Sequence, residues 1–428
     1  MSSAAPADEV TEAEAGAEPA DWRHIAGELA DDLATDAAER EQAGKPPLDE
    51  VARLRESGLL TLLVPTALGG GGGDWRTAYA VVRILAAADG AVGQLLGSHY
   101  FLSQSPRFFA GPERAARVER TFTAGQWYWG GGIASCEPPL MLTPTPDGYL
   151  LDGHQRYGCA VGVADRLVVR AAVPGTGEPL AVLVDPAHPG LVSGTGGDTF
   201  GQRLAAGGAV GFDSVPVASD GVLGSLSADD GALSPFTGLA APTARLVSAQ
   251  FCLGLAEGLL GEVREYGRAA VQSSWQPLPA HLWPAGAPHP RSGGSPAPWQ
   301  GGRPQDPLVL TAYGELAVTA RAASALADQA VAALTDGLAR GEDLDDEECA
   351  EIAVLAGAAE AAAARAAQEI TTRALDAVGA SAALAGHGLD RFWRDTRTHT
   401  LREPVAHRLR EVGDYFLNGV HPPFSLPA

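Results

Sequence analysis

The middle of the chain reads Leu167-Val-Val-Arg-Ala-Ala-Val173 and, after a Pro-Gly turn, Leu180-Ala-Val-Leu-Val184. Two further short apolar runs, Tyr149-Leu-Leu151 and Val210-Gly-Phe212, lie on either side of this pair. Short runs of apolar and β-branched residues bounded by Gly, Pro and Asp predict strands joined by turns. The sequence therefore predicts a β domain over residues 121–239.

Helical patterns flank the predicted β domain on both sides. Residues 21–120 are apolar at helical spacing and predict an N-terminal helical domain. Residues 240–428 predict a C-terminal bundle, because long apolar stretches are interrupted by charges at helical spacing. Four long helices are expected there, at Thr243 to Val271, Val309 to Leu338, Asp345 to Val378 and Leu389 to Leu417. The predicted fold class is α+β and mostly α, with the β domain between two helical parts.

Three low-complexity segments interrupt this pattern. Residues 1–20 are rich in Ala, Glu, Asp and Pro and predict a disordered acidic tail. Residues 273–303 are dense in Pro, Gly, Ser and Trp and predict either a disordered insertion or a functional lid. The run Gly69-Gly-Gly-Gly-Gly73 lacks the Lys-Ser/Thr of a phosphate-binding loop, so it predicts a flexible turn between helices.

Composition argues against several classes of protein. With 30 Lys+Arg against 52 Asp+Glu, the chain carries a net charge of −22, which does not favour binding to nucleic acid or to an anionic membrane. Four cysteines without a C-x-x-C pair indicate neither a disulfide framework nor a zinc site, and no metal is predicted. The sequence shows no signal peptide and no apolar run of about 20 residues. We therefore expect a soluble cytoplasmic protein.

Several motifs, met in order along the chain, resemble the acyl-CoA dehydrogenase superfamily. They are Gly58-Leu-Leu-Thr-Leu-Leu-Val-Pro65, Ala86-Ala-Ala-Asp89, Gly148-Tyr-Leu-Leu-Asp-Gly153 and Phe200-Gly-Gln-Arg203. Two later segments, Gly388-Leu-Asp-Arg-Phe-Trp-Arg-Asp395 and Arg410-Glu-Val-Gly-Asp-Tyr-Phe-Leu-Asn-Gly419, resemble the flavin-dependent monooxygenase branch of that superfamily. The resemblance runs from about residue 22 to the C-terminus, apart from 273–303. It implies a β-barrel-like middle domain and a C-terminal four-helix bundle.

The resemblance implies a two-component oxygenase. Enzymes of this branch receive reduced flavin, FMN or FAD, from a separate NAD(P)H:flavin reductase and react it with molecular oxygen to a C4a-hydroperoxide. The protein shields that adduct from water and presents a small heteroatom-containing or aromatic substrate to it, in some relatives for natural-product biosynthesis. The lack of a G-x-G-x-x-G motif after a predicted strand agrees, because the chain then needs no nicotinamide site. The resemblance also implies a homotetramer.

The resemblance assigns cofactor-binding roles to nine positions. They are Ser135, Cys136, Tyr157, Cys159, Arg203, Gly379, Ala380, Ser381 and Arg394. Cys136 and Cys159 stand where relatives carry hydroxyl side chains, and inert buried thiols are the alternative interpretation. The Gly379-Ala-Ser381 loop would offer backbone N–H groups to a phosphate, or would serve only as a turn between helices.

The resemblance also gives four candidate catalytic residues. They are His99, His399, Arg402 and Glu403. His399 lies on the segment that faces the flavin in relatives, and an imidazole with a near-neutral pKa suits proton transfer around a peroxide. His99 follows a helix of small and apolar residues, and a structural role is its alternative. Glu403 occupies the position of the catalytic base of dehydrogenases, or forms an ion pair with Arg402.

The residues leave two alternative functions open. If Glu403 abstracts an α-proton from a thioester, the chain is an FAD-dependent acyl-CoA dehydrogenase. The missing hydroxyls at Cys159 and Gly207 would instead fit a non-catalytic scaffold that has lost flavin. A flavin-binding measurement distinguishes the scaffold, which would bind no flavin, from the two enzymes. Reduction of an electron acceptor by an acyl-CoA would identify the dehydrogenase.

Overall fold

The computed structural model describes residues 20–194, 199–227, 234–273, 307–378, 388–402 and 404–426. The tail predicted over residues 1–20 and the insertion predicted over 273–303 lie outside these ranges, except for Ala20 and Ser273. In the described part of the chain, helices precede and follow a sheet that is confined to residues 129–225. The predicted α+β fold class is therefore confirmed.

The described N-terminal part contains seven α-helices and two short 3-10 helices. In chain order the α-helices are α1 (Trp22–Ala34), α2 (Ala37–Ala43), α3 (Leu48–Glu56), α4 (Trp75–Ala88), α5 (Gly90–Ser103), α6 (Ser105–Phe109) and α7 (Pro112–Gly125). Asp74 and Asp89 cap α4 and α5, because each carboxylate accepts a hydrogen bond from the backbone N–H three residues later. Twelve of the fourteen residues of α5 are buried, which places this helix in the interior of the molecule.

The glycine run at 69–73 is an ordered loop. The N–H of Gly71 donates to the carbonyl of Thr61 at 2.9 Å, and the N–H of Gly72 donates to the carbonyl of Val64 at 2.8 Å. The expectation of a flexible turn was wrong, because backbone hydrogen bonds tie the run to the residues that precede it.

The middle part is a sheet of eight described strands. In chain order they are β1 (Trp129–Gly132), β2 (Leu140–Thr145), β3 (Gly148–Tyr157), β4 (Arg166–Ala172), β5 (Pro179–Val184), β6 (Leu191–Ser193), β7 (Gly208–Val217) and β8 (Val222–Ser225). Their spatial order is β6-β7-β3-β2-β4-β5-β8, and β1 pairs with β4. β1 and β2 run parallel to β4, whereas the other pairs are antiparallel. The four runs predicted as strands lie in β3, β4, β5 and β7.

The two faces of the sheet serve two apolar cores. One face forms a cluster of its own, whose members include Leu140, Leu142, Leu167, Val169, Val182, Val184, Val210 and Phe212. The opposite face contributes Val168 and Ala181 to a larger core that it shares with the helices. This division follows from the geometry of a β-strand, because successive side chains along a strand point to opposite faces of the sheet. A sheet that encloses its own cluster agrees with the barrel-like domain that the resemblance implied.

The described C-terminal part is built mainly from long helices. In chain order the helices are α8 (Pro235–Gly238), α9 (Ala240–Ser273), α10 (Pro307–Arg340), α11 (Asp346–Val378), α12 (Asp390–Arg402) and α13 (Val405–Asn418). The single helix expected from Leu389 to Leu417 was therefore wrong. Pro404 has no N–H to donate to the Thr400 carbonyl, and its ψ of 129° is extended, so a new helix begins after it.

Helix α9 is the axis of the bundle and packs against α4, α5, α10, α11 and α12. Gly258 permits this packing, because a Cβ there would lie closer than 3.0 Å to both the Ala87 carbonyl and the Phe392 ring. By length and composition alone, the helical stretch Pro235–Arg268 could cross a membrane, but 61% of its most apolar window is buried inside the protein. Such burial is typical of a core helix in a soluble protein.

Candidate active site

A cavity of about 130 Å³ lies where α5, the sheet and the bundle meet. Gln94 on α5 contributes to one wall, residues 131–133 and Cys159 form a second wall, and Ser248 and His399 lie on the bundle side. Because these residues are far apart in the sequence, the cavity forms only when all three parts of the fold pack together.

His399 lies on α12 with its ring in the cavity wall. Its Nε2 atom lies 2.7 Å from the Ser248 hydroxyl, and the centroids of its ring and the Phe251 ring are 4.7 Å apart. Its Nδ1 atom is buried without a hydrogen-bond partner among the described residues. Burial, reinforced by the positive charge of Arg402, lowers the pKa of His399 to about 3. The ring is therefore uncharged at neutral pH, which differs from the near-neutral pKa expected from the sequence.

Arg402 joins α12 to the sheet across the cavity. Its Nη2 atom donates a hydrogen bond to the Gly158 carbonyl at 2.9 Å. A Cβ at Gly158 would lie closer than 3.0 Å to the guanidinium, so the lack of a side chain lets Arg402 lie against this turn. Cys159, the next residue, is buried and lines the cavity. The cavity thus holds a positive charge next to a glycine-cysteine turn.

His99 lies on α5 but not in the cavity wall. Its Nε2 atom lies 2.8 Å from the Leu60 carbonyl, which only accepts, so Nε2 carries the proton. Its Nδ1 atom accepts a hydrogen bond from the Trp129 N–H at 3.0 Å. The ring stacks on Tyr128, and burial lowers its pKa to about 4. Since both ring nitrogens serve the backbone, the geometry favours the structural alternative, and we leave His99 out of the proposed catalytic group.

Two family models match the chain, the N-terminal domain of acyl-CoA dehydrogenases over residues 21–114 and their C-terminal domain over residues 299–403. Dibenzothiophene monooxygenase of Rhodococcus erythropolis is 32% identical over 93% of this chain and 93% of its own. The chain belongs to the flavin-dependent monooxygenases of the acyl-CoA dehydrogenase superfamily. The probable FMNH2-dependent monooxygenase SfnC of Pseudomonas putida is 30% identical over 93% of this chain and 95% of its own. The crystal structure of FMN-bound TdsC from Paenibacillus sp. A11-2 has a TM-score of 0.83 at 32% identity, covering 95% of this chain and 100% of TdsC.

Membership of the flavin-dependent monooxygenases decides between the functions that the sequence left open. The two relatives of 30% identity or more described above are named monooxygenases, which favours the oxygenase interpretation over both the acyl-CoA dehydrogenase and the scaffold. Glu403, the base of the dehydrogenase alternative, lies outside the described residues, as do Gly379, Ala380 and Ser381. The roles assigned to these four residues therefore stay predictions.

Three of the predicted flavin-binding residues of this monooxygenase lie near β1. Tyr157 and Cys136 line a small second pocket that shares Gly132 with the cavity. The Tyr157 hydroxyl is buried with no hydrogen-bond partner in the described part of the chain, and burial raises the pKa of both its phenol and the Cys136 thiol. Ser135 is exposed. The structure thus brings Tyr157 and Cys136 together and leaves Ser135 at the surface.

The two predicted flavin-binding arginines do not line the cavity of this monooxygenase. Arg394 is bound to Glu41 and donates to Asp390 at 2.9 Å, and these two carboxylates raise its pKa. Arg203 is exposed, with its guanidinium next to Gly44. Within one chain, Arg394 therefore joins α12 to α2, and a cofactor role for either arginine stays a prediction.

A group of buried charged side chains at the bundle wall of the cavity was missed by sequence analysis. Glu360 on α11 and Arg408 on α13 line the cavity and are 7% and 5% exposed. The Nε atom of Arg408 lies 3.5 Å from Glu360 Oε2, and Arg245 lies 3.5 Å from Glu411. No motif marks these positions. The available signal was the presence of charged residues on helix faces that are otherwise rich in alanine, since buried charges are rare unless paired.

Proposed function

We propose that this enzyme is a two-component, FMN-dependent monooxygenase that transfers one atom of O2 to the sulfur of a small organosulfur compound. The observation that carries the proposal is an uncharged, partly buried histidine, His399, in the wall of a cavity between sheet and bundle. Two relatives support the substrate class and the cofactor, because one is a dibenzothiophene monooxygenase and TdsC binds FMN. TdsC has also been solved with FMN and indole together, which supports a cavity that accepts aromatic heterocycles.

The cavity residues fit a flat cofactor with polar edges. The Nδ1 atom of His399 lacks a partner in the described structure, and a heteroatom of a bound ring would satisfy it. Gly131, Gly132 and Gly158 present backbone to the cavity, so a flat ring can approach closely. The volume of about 130 Å³ is smaller than the ~300–1,000 Å³ of typical ligand pockets, so it accommodates the reacting end of the ligands.

The side chains around the cavity supply three contributions to the reaction. Bound reduced FMN would supply the two electrons that make one atom of O2 transferable to sulfur. Phe101, Leu102 and Val247 exclude water from the cavity, which suppresses side reactions. The Nδ1 atom of His399, which has no hydrogen-bond partner among the described residues, can hold or receive a proton. Arg402 gives the cavity wall a positive charge, which would stabilise negative charge that develops on oxygen.

We also propose that a separate NAD(P)H:flavin reductase supplies the reduced FMN and that the enzyme works in the cytoplasm. A relative named as FMNH2-dependent supports the first point, because it takes its flavin already reduced. The absence of a G-x-G-x-x-G motif in the sequence agrees with it. The burial of 61% of the most apolar window of Pro235–Arg268 supports a soluble enzyme.

Oxygen labelling tests the proposed function. When a flavin reductase and NADH supply FMNH2 under ¹⁸O2, dibenzothiophene is expected to gain one ¹⁸O atom per molecule, because a monooxygenase transfers one atom of O2 to its substrate. Mass spectrometry of the product measures the incorporation. A simple dialkyl sulfide assayed in parallel tests how small the substrate can be, and FAD in place of FMN tests the cofactor.

Two outcomes would contradict the proposal. If FMN binds but FMNH2 is oxidised only to free hydrogen peroxide with every sulfur compound, sulfur oxygenation is wrong. If neither flavin binds under reducing conditions, the scaffold alternative replaces the enzyme.

We further propose that the enzyme is a homotetramer. Large apolar side chains are exposed on α10 and α13, and they are Leu310, Val318, Leu409, Phe416 and Leu417. Phe416 is 88% exposed, and exposed apolar residues on packed helices favour contact with further copies of the chain. Sedimentation equilibrium is expected to give the mass of four chains of 43.9 kDa each. The mass of one chain would contradict the proposal.

A further inference from the structure

Three polar side chains from three different helices, those of His399, Ser248 and Glu360, lie next to one another in the cavity wall. His399 on α12 meets Ser248 on α9, with 2.7 Å between Nε2 and the hydroxyl oxygen. The same hydroxyl faces the buried carboxyl of Glu360 on α11 closely enough to lower the pKa of that carboxyl. Ser248 therefore lies between a ring nitrogen of His399 and a buried acid.

Charged and titratable groups face Glu360 from two neighbouring helices. Arg245 and Cys252 face it from α9, and Arg408 and Glu411 face it from α13. Burial raises the pKa of Glu360 above its ordinary value, the two arginines oppose this shift, and Glu411 adds to it. When Glu360 is ionised, Glu360 and Glu411 together balance the positive charges of Arg245 and Arg408. Because burial favours the neutral acid, Glu360 takes up a proton as the pH falls.

The protonation state of Glu360 decides the direction of the hydrogen bonds. His399 is uncharged, so its ring carries one proton, on Nε2 or on Nδ1. An ionised carboxylate only accepts, so Ser248 donates to it and accepts from Nε2–H. A protonated carboxyl donates to Ser248, which then donates to Nε2 and leaves the ring proton on Nδ1.

We propose that Glu360 is a positioning residue that selects, through Ser248, which ring nitrogen of His399 carries the proton. The inference rests on the proposed function only for the part that His399 plays in the reaction. With Glu360 ionised, Nδ1 carries a lone pair and can accept a proton. With Glu360 protonated, Nδ1 presents an N–H and donates. Arg402, which faces the ring from α12 itself, is present in both states.

Solid-state NMR of the full-length protein with ¹⁵N-labelled histidine reads the position of the ring proton directly. The chain has ten histidines, and the spectrum of a His399→Gln variant identifies the signals of His399. In the wild type at alkaline pH, the proton is expected on Nε2. It is expected to move to Nδ1 as the pH falls and Glu360 becomes protonated.

Glu360→Gln is expected to keep the ring proton on Nδ1 at every pH. Arg408 faces the far side of the Glu360 carboxyl and only donates, so the amide oxygen turns to Arg408 and the amide NH2 turns to Ser248. The amide then imitates the protonated acid.

Glu411→Gln is the matched control, because it removes a carboxylate from the same arginines without touching Ser248. Loss of that negative charge lowers the pKa of Glu360, so the change of tautomer is expected at lower pH than in the wild type. If Glu360→Gln does not fold, Ser248→Ala removes the hydroxyl between Glu360 and His399 without removing a buried charge. In this variant the tautomer of His399 is expected to be independent of pH. Ser248→Thr keeps the hydroxyl and should behave as the wild type.

Three results would overturn the inference. One is the same His399 tautomer at alkaline pH in the wild type and in Glu360→Gln. Another is a Glu411→Gln spectrum that reproduces that of Glu360→Gln, since the effect would then be one of general charge. The third is a pH-dependent tautomer in Ser248→Ala that matches the wild type.

Activity supplies a second measurement. The kcat/KM of Glu360→Gln is expected to fall about tenfold or more, with a pH profile that no longer shows the ionisation of Glu360. If the wild type oxygenates no sulfur compound, the proposed function is wrong. The NMR spectra would still test whether Glu360 selects the tautomer of His399.

Discussion

A His399→Gln enzyme is expected to lose most of its oxygenation activity, with a kcat/KM about 10²–10⁴-fold below that of the wild type. Glutamine can keep a hydrogen bond to Ser248, but it has no second ring nitrogen that could hold or receive a proton. Nδ1 of His399 is the atom that is buried there without a partner in the described structure. Product formation with reductase-supplied FMNH2, quantified by mass spectrometry, measures the loss.

His407 provides the matched control for this variant. It is an exposed histidine on α13 and does not line the cavity. His407→Gln should leave kcat/KM unchanged, and both variants should keep the thermal midpoint of the wild type. Wild-type activity in His399→Gln would remove His399 from the mechanism.

A large loss of stability is expected from Gly258→Ala, which should lower the free energy of unfolding by about 1–3 kcal/mol. The new Cβ would overlap the Ala87 carbonyl and the Phe392 ring, so α9 would have to move away from α4 and α12. Because α12 carries His399, the same displacement should weaken FMN binding. Urea denaturation measures the first effect, and a titration with FMN measures the second.

Gly261→Ala is the control on the same helix. A Cβ at Gly261 meets nothing within 4 Å, and alanine stabilises a helix relative to glycine by about 1 kcal/mol. This variant should therefore be as stable as the wild type or more stable. Equal gains of stability in Gly258→Ala and Gly261→Ala would show that helix propensity, and not close packing, governs the result.

The strands were predictable because their signals are local. Short runs of apolar and β-branched residues between turn residues define β4 and β5 without knowledge of their neighbours. The last helix was predicted too long because its apolar spacing continues past Pro404, and spacing was given more weight than the missing N–H of proline. The glycine run at 69–73 was misjudged for another reason, since the carbonyls that hold it belong to residues 61–65.

The candidate site was predictable only as far as the resemblance extended. His399, Arg402 and Cys159 belong to segments that resemble a family, and the structure places all three in one cavity. Ser248 and Glu360 belong to no motif, and only the packing of α9 against α11 and α12 brings them together. Local sequence cannot supply that information, because the spacing of residues on one helix does not show what the next helix carries.

His99 and His399 also show that local sequence does not reveal which partners a side chain will meet. Both were candidate catalytic residues, His399 because its segment faces the flavin in relatives and His99 because it follows a helix of small and apolar residues. What separates them is the set of partners, since Leu60 and Trp129 occupy both nitrogens of His99. Those partners lie 39 and 30 residues away along the chain.

The cavity has walls from segments spread between residues 94 and 408. A ligand inside it touches the N-terminal helices, the sheet and the bundle at once, so its binding free energy stabilises the whole native chain and no partly assembled form. At a hundredfold excess over Kd, this linkage is worth about 2.7 kcal/mol. A chain in which one of the three parts is undocked has no complete binding surface. Retention of flavin through purification is therefore a check on correct assembly, and it can be monitored by colour alone.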